Sequence, residues 1–138
     1  RAGEMFSILT EGSFADLRVE YDDQDTAHLT GIRPEHYPVR DPVRVGGMSD
    51  GTADQLYLAL RLAAVEEYLE HAHALPFIAD DLFINFDDDR AAAGFKVLAR
   101  VAQKTQVLFF THHRHLVHLA EQTLGESTNF ITLSKGTG

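Results

Sequence analysis

Three short segments of this 138-residue chain carry side chains suited to chemistry on a charged substrate. The first is Met48-Ser49-Asp50-Gly51-Thr52, followed by Gln55, where a loop runs into a long helical pattern. A helix start offers free N–H groups and partial positive charge to a phosphate. Ser49 adds a hydroxyl there, and Gly51 lets a backbone approach closely. Taken alone, the segment reads first as a plain serine N-cap. The second is Phe77-Ile78-Ala79-Asp80-Asp81, an apolar run ending in two acids. At the end of a parallel strand, such acids lie where α/β folds place their ligands. A carboxylate at Asp80 suits Mg2+, directly or through water, and its neighbour Asp81 can orient or deprotonate an attacking water. The plain alternative is a pair of acids capping a turn. The third is Phe110-Thr111-His112-His113, after another apolar run. A histidine there can contact a transferring phosphate; the alternative is a solvent-facing histidine at a helix start. His112, His113, His115 and His118 also raise a zinc site, because imidazoles are good zinc ligands. Adjacent histidines rarely share one metal, however, and the helical pair His115 and His118 needs further ligands.

The elements that must position these groups follow from periodicity. Residues 1–10 carry Met5, Phe6, Ile8 and Leu9 without strand alternation, which predicts the end of a helix. Residues 14–21 alternate apolar and polar, the mark of a half-buried strand. Asp22, Asp23, Gln24 and Asp25 predict a turn, with a return strand from His28 to Ile32. Pro34, Pro38 and Pro42 exclude a helix there, and Val39, Val43 and Val45 allow a short strand. A flexible loop, residues 46–51, precedes a helix from about Thr52 to about His73, with stripes at Leu58, Leu62, Val65, Leu69 and at Leu56, Leu60, Ala63. Residues 75–80 and 106–111 read as buried strands, 87–104 and 113–124 as helices, and 129–133 as a last strand. Gly125 stops the last helix. Helices alternating with strands predict a parallel sheet with crossover helices, plus an antiparallel hairpin: an α/β fold.

Composition limits the function. A chain of this length supports one compact domain. There are no cysteines, which excludes disulfides and thiolate metal sites and fits a cytoplasmic protein. No run is long and apolar enough for a membrane span. The formal net charge of −9 argues against direct binding of nucleic acid by most of the surface. Arg33, Arg40 and Arg44 are the one candidate basic cluster, and the preferred reading is a solvated hairpin face. The chain opens at Arg1 inside a helical segment, and the expectation is a fragment.

The order and spacing of the three segments resemble the C-terminal lobe of ABC-type ATPase heads. Met48-Ser49-Asp50-Gly51-Thr52 resembles the signature motif, usually Leu-Ser-Gly-Gly-Gln. Leu75 to Asp80 resembles the Walker B strand, with Asp81 at the catalytic-glutamate position. Asp87 in Asn85-Phe86-Asp87 falls at the D-loop aspartate, and Thr111-His112 at the H-loop. The wording of 49–62, 75–81, 85–90 and 106–113 is similar to the YhaN-type branch, related to SbcC-type exonuclease subunits and SMC proteins. Nearly all of residues 1–138 is covered, as one C-terminal lobe. The resemblance implies ATP and Mg2+ as ligands and a missing N-terminal Walker A lobe across a coiled coil. It also implies an ATP-dependent second head, DNA reached through the parent complex in DNA repair, and a metallophosphoesterase-type nuclease subunit. Asp80 would serve Mg2+, Asp81 and His112 (or His113) the water, and Ser49 and Gly51 the nucleotide of the second head, with Asp87 at the interface. Asp50 stands in place of a glycine, Asp81 in place of a glutamate, and Met48 in place of a leucine. None of Lys96, Lys104 and Lys135 sits in a Gly-x-x-x-x-Gly-Lys pattern, so the chain is expected to be inactive alone. Two alternatives stand beside this: a degenerate half-head used only for dimerisation, and a metal-dependent hydrolase using the histidines with Asp80 and Asp81.

Overall fold

The computed structural model describes residues 1–133. Helix α1 (Ala2–Leu9) buries Met5, Phe6 and Leu9 completely. It ends at Thr10, whose hydroxyl donates to the Phe6 carbonyl and accepts from the Phe14 N–H. Strand β1 (Asp16–Tyr21) pairs antiparallel with β2 (Ala27–Ile32), Asp16 opposite Ile32 and Tyr21 opposite Ala27. The two-residue β3 (Val43–Arg44) joins the far side of β2. The alternation in β1 is covered only at its base. Leu17 is half-buried, while Val19 and Tyr21 are exposed, because the hairpin extends beyond the core. Arg33 leaves the expected solvated cluster. Its guanidinium stacks on Phe14 at 4.0 Å and Tyr37 at 4.3 Å and donates to the Ser13 carbonyl.

Helix α2 (Asp50–His71) begins two residues earlier than its pattern predicts. The supposed flexible loop is instead a 3-10 turn (Val45–Gly47), an extended Met48 and a capping Ser49, with Gly51 inside the helix. Its buried face runs Leu56, Leu58, Ala59, Leu62, Ala63, with Leu60 left outside. Two polar residues are buried in that face. Gln55 donates to the Leu9 carbonyl, tying α2 to the end of α1. Glu66, 0% exposed, accepts from Arg100 Nε at 3.0 Å and Nη2 at 3.3 Å. Lys104 and Arg1 stand 3.9 and 3.8 Å from the same carboxylate.

Strands β4 (Phe77–Asp80) and β5 (Val107–Phe110) are parallel, Phe77 opposite Val107 and Asp80 opposite Phe110. Helix α3 (Asp88–Ala102) connects them, and α4 (Arg114–Leu124) follows, stopped by Gly125 at φ +57°. Phe83, just beyond β4, centres the core: it stacks on Phe86 at 5.4 Å and meets Phe95 and Phe109 at 5.1 and 5.2 Å. The two strands are not buried on both faces. Ala79 is covered, but Ile78 is 62% exposed, and Leu108 and Phe110 are also open on that side. Residues 129–133 form no strand; with no ladder partner beside them, Phe130, Ile131 and Leu133 stay exposed. Among the described residues no helix is long and apolar enough to cross a membrane.

Candidate functional site

The strand ends bring two of the three segments together. Asp81 extends the ladder by one bond, its N–H donating to the Phe110 carbonyl at 2.9 Å. Asp80 and Asp81 therefore sit beside Phe110, Thr111 and His112 at one end of the sheet. Asp81 is held there under strain. Its φ is +48°, left-handed, a conformation costing about 1 kcal/mol for most residues and less for aspartate. Its Oδ1 is buried with no hydrogen-bond partner. An orphaned buried oxygen costs about 1–3 kcal/mol, and such strain persists where the surroundings impose it, often at functional sites. Asp80 is exposed, as are His112 and His113. Thr111 Oγ1 accepts from the His113 N–H at 3.1 Å, and the His113 carbonyl starts α4, so His113 is fixed by its backbone while both imidazoles remain at the surface.

The third segment lies at the start of α2. Ser49 Oγ accepts from the Thr52 N–H at 3.2 Å and donates to Thr52 Oγ1 at 2.8 Å, so the plain N-cap expected of the sequence is present. Asp87 caps α3 in the same manner, Oδ1 accepting from the Arg90 N–H at 2.9 Å. These two helix starts meet through a residue that sequence reasoning passed over. The guanidinium of Arg90 lies against Gly51, close enough that a β-carbon there would overlap it. Asp88, the first residue of α3, bonds His115 of α4 at 2.5 Å. No local sequence signal announces either contact, because both join segments far apart in the chain.

The site residues thus form two groups, Asp80, Asp81, Thr111, His112 and His113 at the strand ends, and Ser49, Gly51 and Asp87 at the helix starts. No hydrogen bond or ion pair joins the two groups among the described residues. Two shallow grooves run along α2, one past Tyr68 and Leu75 and one past Leu60 and Glu70, and neither is lined by these residues. The histidines do not converge. His115 faces Asp88, His118 stands 3.8 Å from Glu121, and no three histidine or acidic side chains group as a metal site among the described residues.

No family model matches the chain. It is 34% identical over 119 residues to YhaN of Bacillus subtilis (strain 168), a stretch covering 83% of this chain and 11% of YhaN. The chain thus spans about a tenth of that relative's length. In structure, 87% of it matches 70% of a chain from work on ATP-driven dimerization and DNA-stimulated activation of SMC ATPases, with TM-score 0.63 and 17% identity. The SMC head domain from Thermotoga maritima matches the same share, over 39% of its own length, with TM-score 0.59 and 18% identity. The Pyrococcus furiosus Smc head with an extended coiled coil, bound to the C-terminal domain of ScpA, gives 0.56 and 17% over 29% of its length. Most of the chain thus has the fold found in SMC ATPase head domains.

Proposed function

We propose that this lobe supplies the water-positioning and head-engaging half of an ATP-hydrolysing head, with the phosphate-cradling half on a separate N-terminal lobe. One observation carries this: Asp81 is held at the sheet end beside Thr111-His112 with strained backbone and an unpartnered carboxylate oxygen. The open face at Ile78, Leu108 and Phe110 supports the same view, since an apolar sheet face needs a cover.

The donors fit Mg2+ in part: Asp80 offers hard oxygen ligands, and the remaining ligands would come from the other lobe and the nucleotide. Mg2+, when bound, neutralises charge on the phosphates. Asp80, exposed at the strand end, would hold it through water. Asp81 orients the attacking water and accepts its proton, and His112 (or His113) fixes that water from the neighbouring strand end. Ser49 and the α2 N-terminus face the nucleotide of a second head, where backbone N–H groups suit a γ-phosphate despite the nearby Asp50. Asp87 lies on that engaging surface. ATP would then join two heads and hydrolysis release them, moving attached coiled coils on DNA. The chain's own charge of −9 requires basic surface elsewhere in the parent for that last step.

The test is ATP hydrolysis by this chain alone, and after mixing with the parent's N-terminal lobe, with Asp81→Asn as control. Activity only in the mixture, lost in Asp81→Asn, is the expected result. Activity in the chain alone would sink the split-head proposal. Activity in neither would favour a half-head kept only for dimerisation.

A further inference from the structure

We infer that Arg90 is a positioning residue, a latch that locks the start of α2, carrying Ser49, to the start of α3, carrying Asp87. This rests on the proposed function, in which both helix starts meet a second head. Arg90 is fixed at its root: its N–H bonds Asp87 Oδ1 at 2.9 Å, and its Nε lies 3.8 Å from Asp87 Oδ2. Its guanidinium reaches across to α2. The three atoms nearest to a β-carbon built on Gly51 are Nη1, Cζ and Nη2 of Arg90.

That contact is one that a β-carbon at residue 51 would displace. Only Gly12 and Gly125 have positive φ among the described glycines, so Gly51 does not need glycine's backbone freedom. It sits in the first turn of a 22-residue helix, where alanine is the better helix former. A methyl there would push the guanidinium away, and no other atom lies as near. The two helices are already clamped at their other ends by Arg100 and Glu66. Ten residues along α3 and fifteen along α2 separate the two clamps, roughly 15 and 22 Å at 1.5 Å per residue. At the near end, the side-chain contact between them is the Arg90 guanidinium against Gly51. The same turn of α3 holds α4 through Asp88 and His115, so it ties together the helices that follow all three chemical segments.

The experiment uses the full-length protein and the variants Arg90→Ala, Gly51→Ala and the double. Amide exchange of Thr52 and Ala53, whose N–H groups bond Ser49, is measured without nucleotide. ATP turnover is measured alongside. Arg90→Ala is expected to speed that exchange several-fold and, through misplaced helix starts, to lower kcat about ten-fold with KM for ATP within about two-fold. Gly51→Ala should melt at the wild-type temperature or above, yet show the same fall in kcat, because its methyl displaces the guanidinium. The double variant should be no worse than either single. Wild-type exchange in Arg90→Ala, wild-type kcat in Gly51→Ala, or losses that multiply in the double would each overturn the latch. A wild-type protein without ATPase activity would sink the proposed function instead, and the exchange comparison would still decide the latch.

Discussion

Removing Arg100 should cost far more than removing its partner together with it. Glu66 is completely buried, whereas the Arg100 side chain is 31% exposed. At 3.0 Å the pair's gross attraction is about 5 kcal/mol for an effective dielectric near 20. That attraction mainly repays the cost of burying Glu66. In Arg100→Met the carboxylate stays buried and keeps only Arg1 and Lys104, at 3.8 and 3.9 Å and each partly screened by water. Stranding a buried charge costs about 3–5 kcal/mol, and these two neighbours reduce it to about 2–3 kcal/mol. For a domain of this size that lowers Tm by roughly 8–10 °C. Glu66→Leu is milder, about 1 kcal/mol, because Arg100 still has Glu4 at 3.0 Å and solvent. The double Glu66→Leu/Arg100→Met replaces the pair by apolar volume and should lie within about 1 kcal/mol of the wild type. Urea and thermal unfolding of the four proteins would give the order. A double variant as unstable as the sum of the singles, or an Arg100→Met loss under about 0.5 kcal/mol, would refute the reasoning.

Asp81→Gly should relieve the left-handed strain and delete the orphaned oxygen, raising stability by about 1 kcal/mol, whereas Asp81→Val should lower it by about 2 kcal/mol. Equal melting of these two variants would argue against strain. Gly94→Ala should destabilise by about 1–2 kcal/mol, since its β-carbon would meet the fully buried Phe83 ring at 2.5 Å and helix propensity recovers only part of the loss. Denaturant unfolding measures it, and a stabilised Gly94→Ala would mean the ring can move aside. The bond to His28, then backbone N–H groups of Thr26 and Gln24, hold the Asp22 carboxyl down at about 2, against 3.8 ordinarily. A depressed carboxylate stabilises above its ordinary value, and that contribution is lost as pH falls from 3.8 towards 2. The Gln24 and Thr26 amide resonances should therefore follow a transition near pH 2, absent in Asp22→Asn. A transition near pH 4 would contradict the His28 bond.

Much of the architecture was legible in residue order. Period and capping residues placed β1, β2, α3, β5 and α4 within a residue or two, because Asp87 and Gly125 mark helix ends by local chemistry. The start of α2 was misplaced because glycines suggested a loop, while packing and the Ser49 cap carried the helix through Gly51. The strand in 129–133 did not form, since apolar residues make a strand only where a neighbouring ladder accepts their backbone. The sheet's open face was invisible for a related reason: an apolar run shows that a strand wants cover, not whether cover is present. The candidate acids, histidines and serine were likewise legible, as side-chain types at the ends of apolar segments. Their grouping was not. The strain and orphaned oxygen at Asp81, the reach of Arg90 to Gly51 and the bond of Asp88 to His115 depend on how distant segments pack. Sequence alone therefore determined which groups could do chemistry and which elements carry them. Only the tertiary structure decided which of them meet, because periodicity is a local property and contact between helices is not.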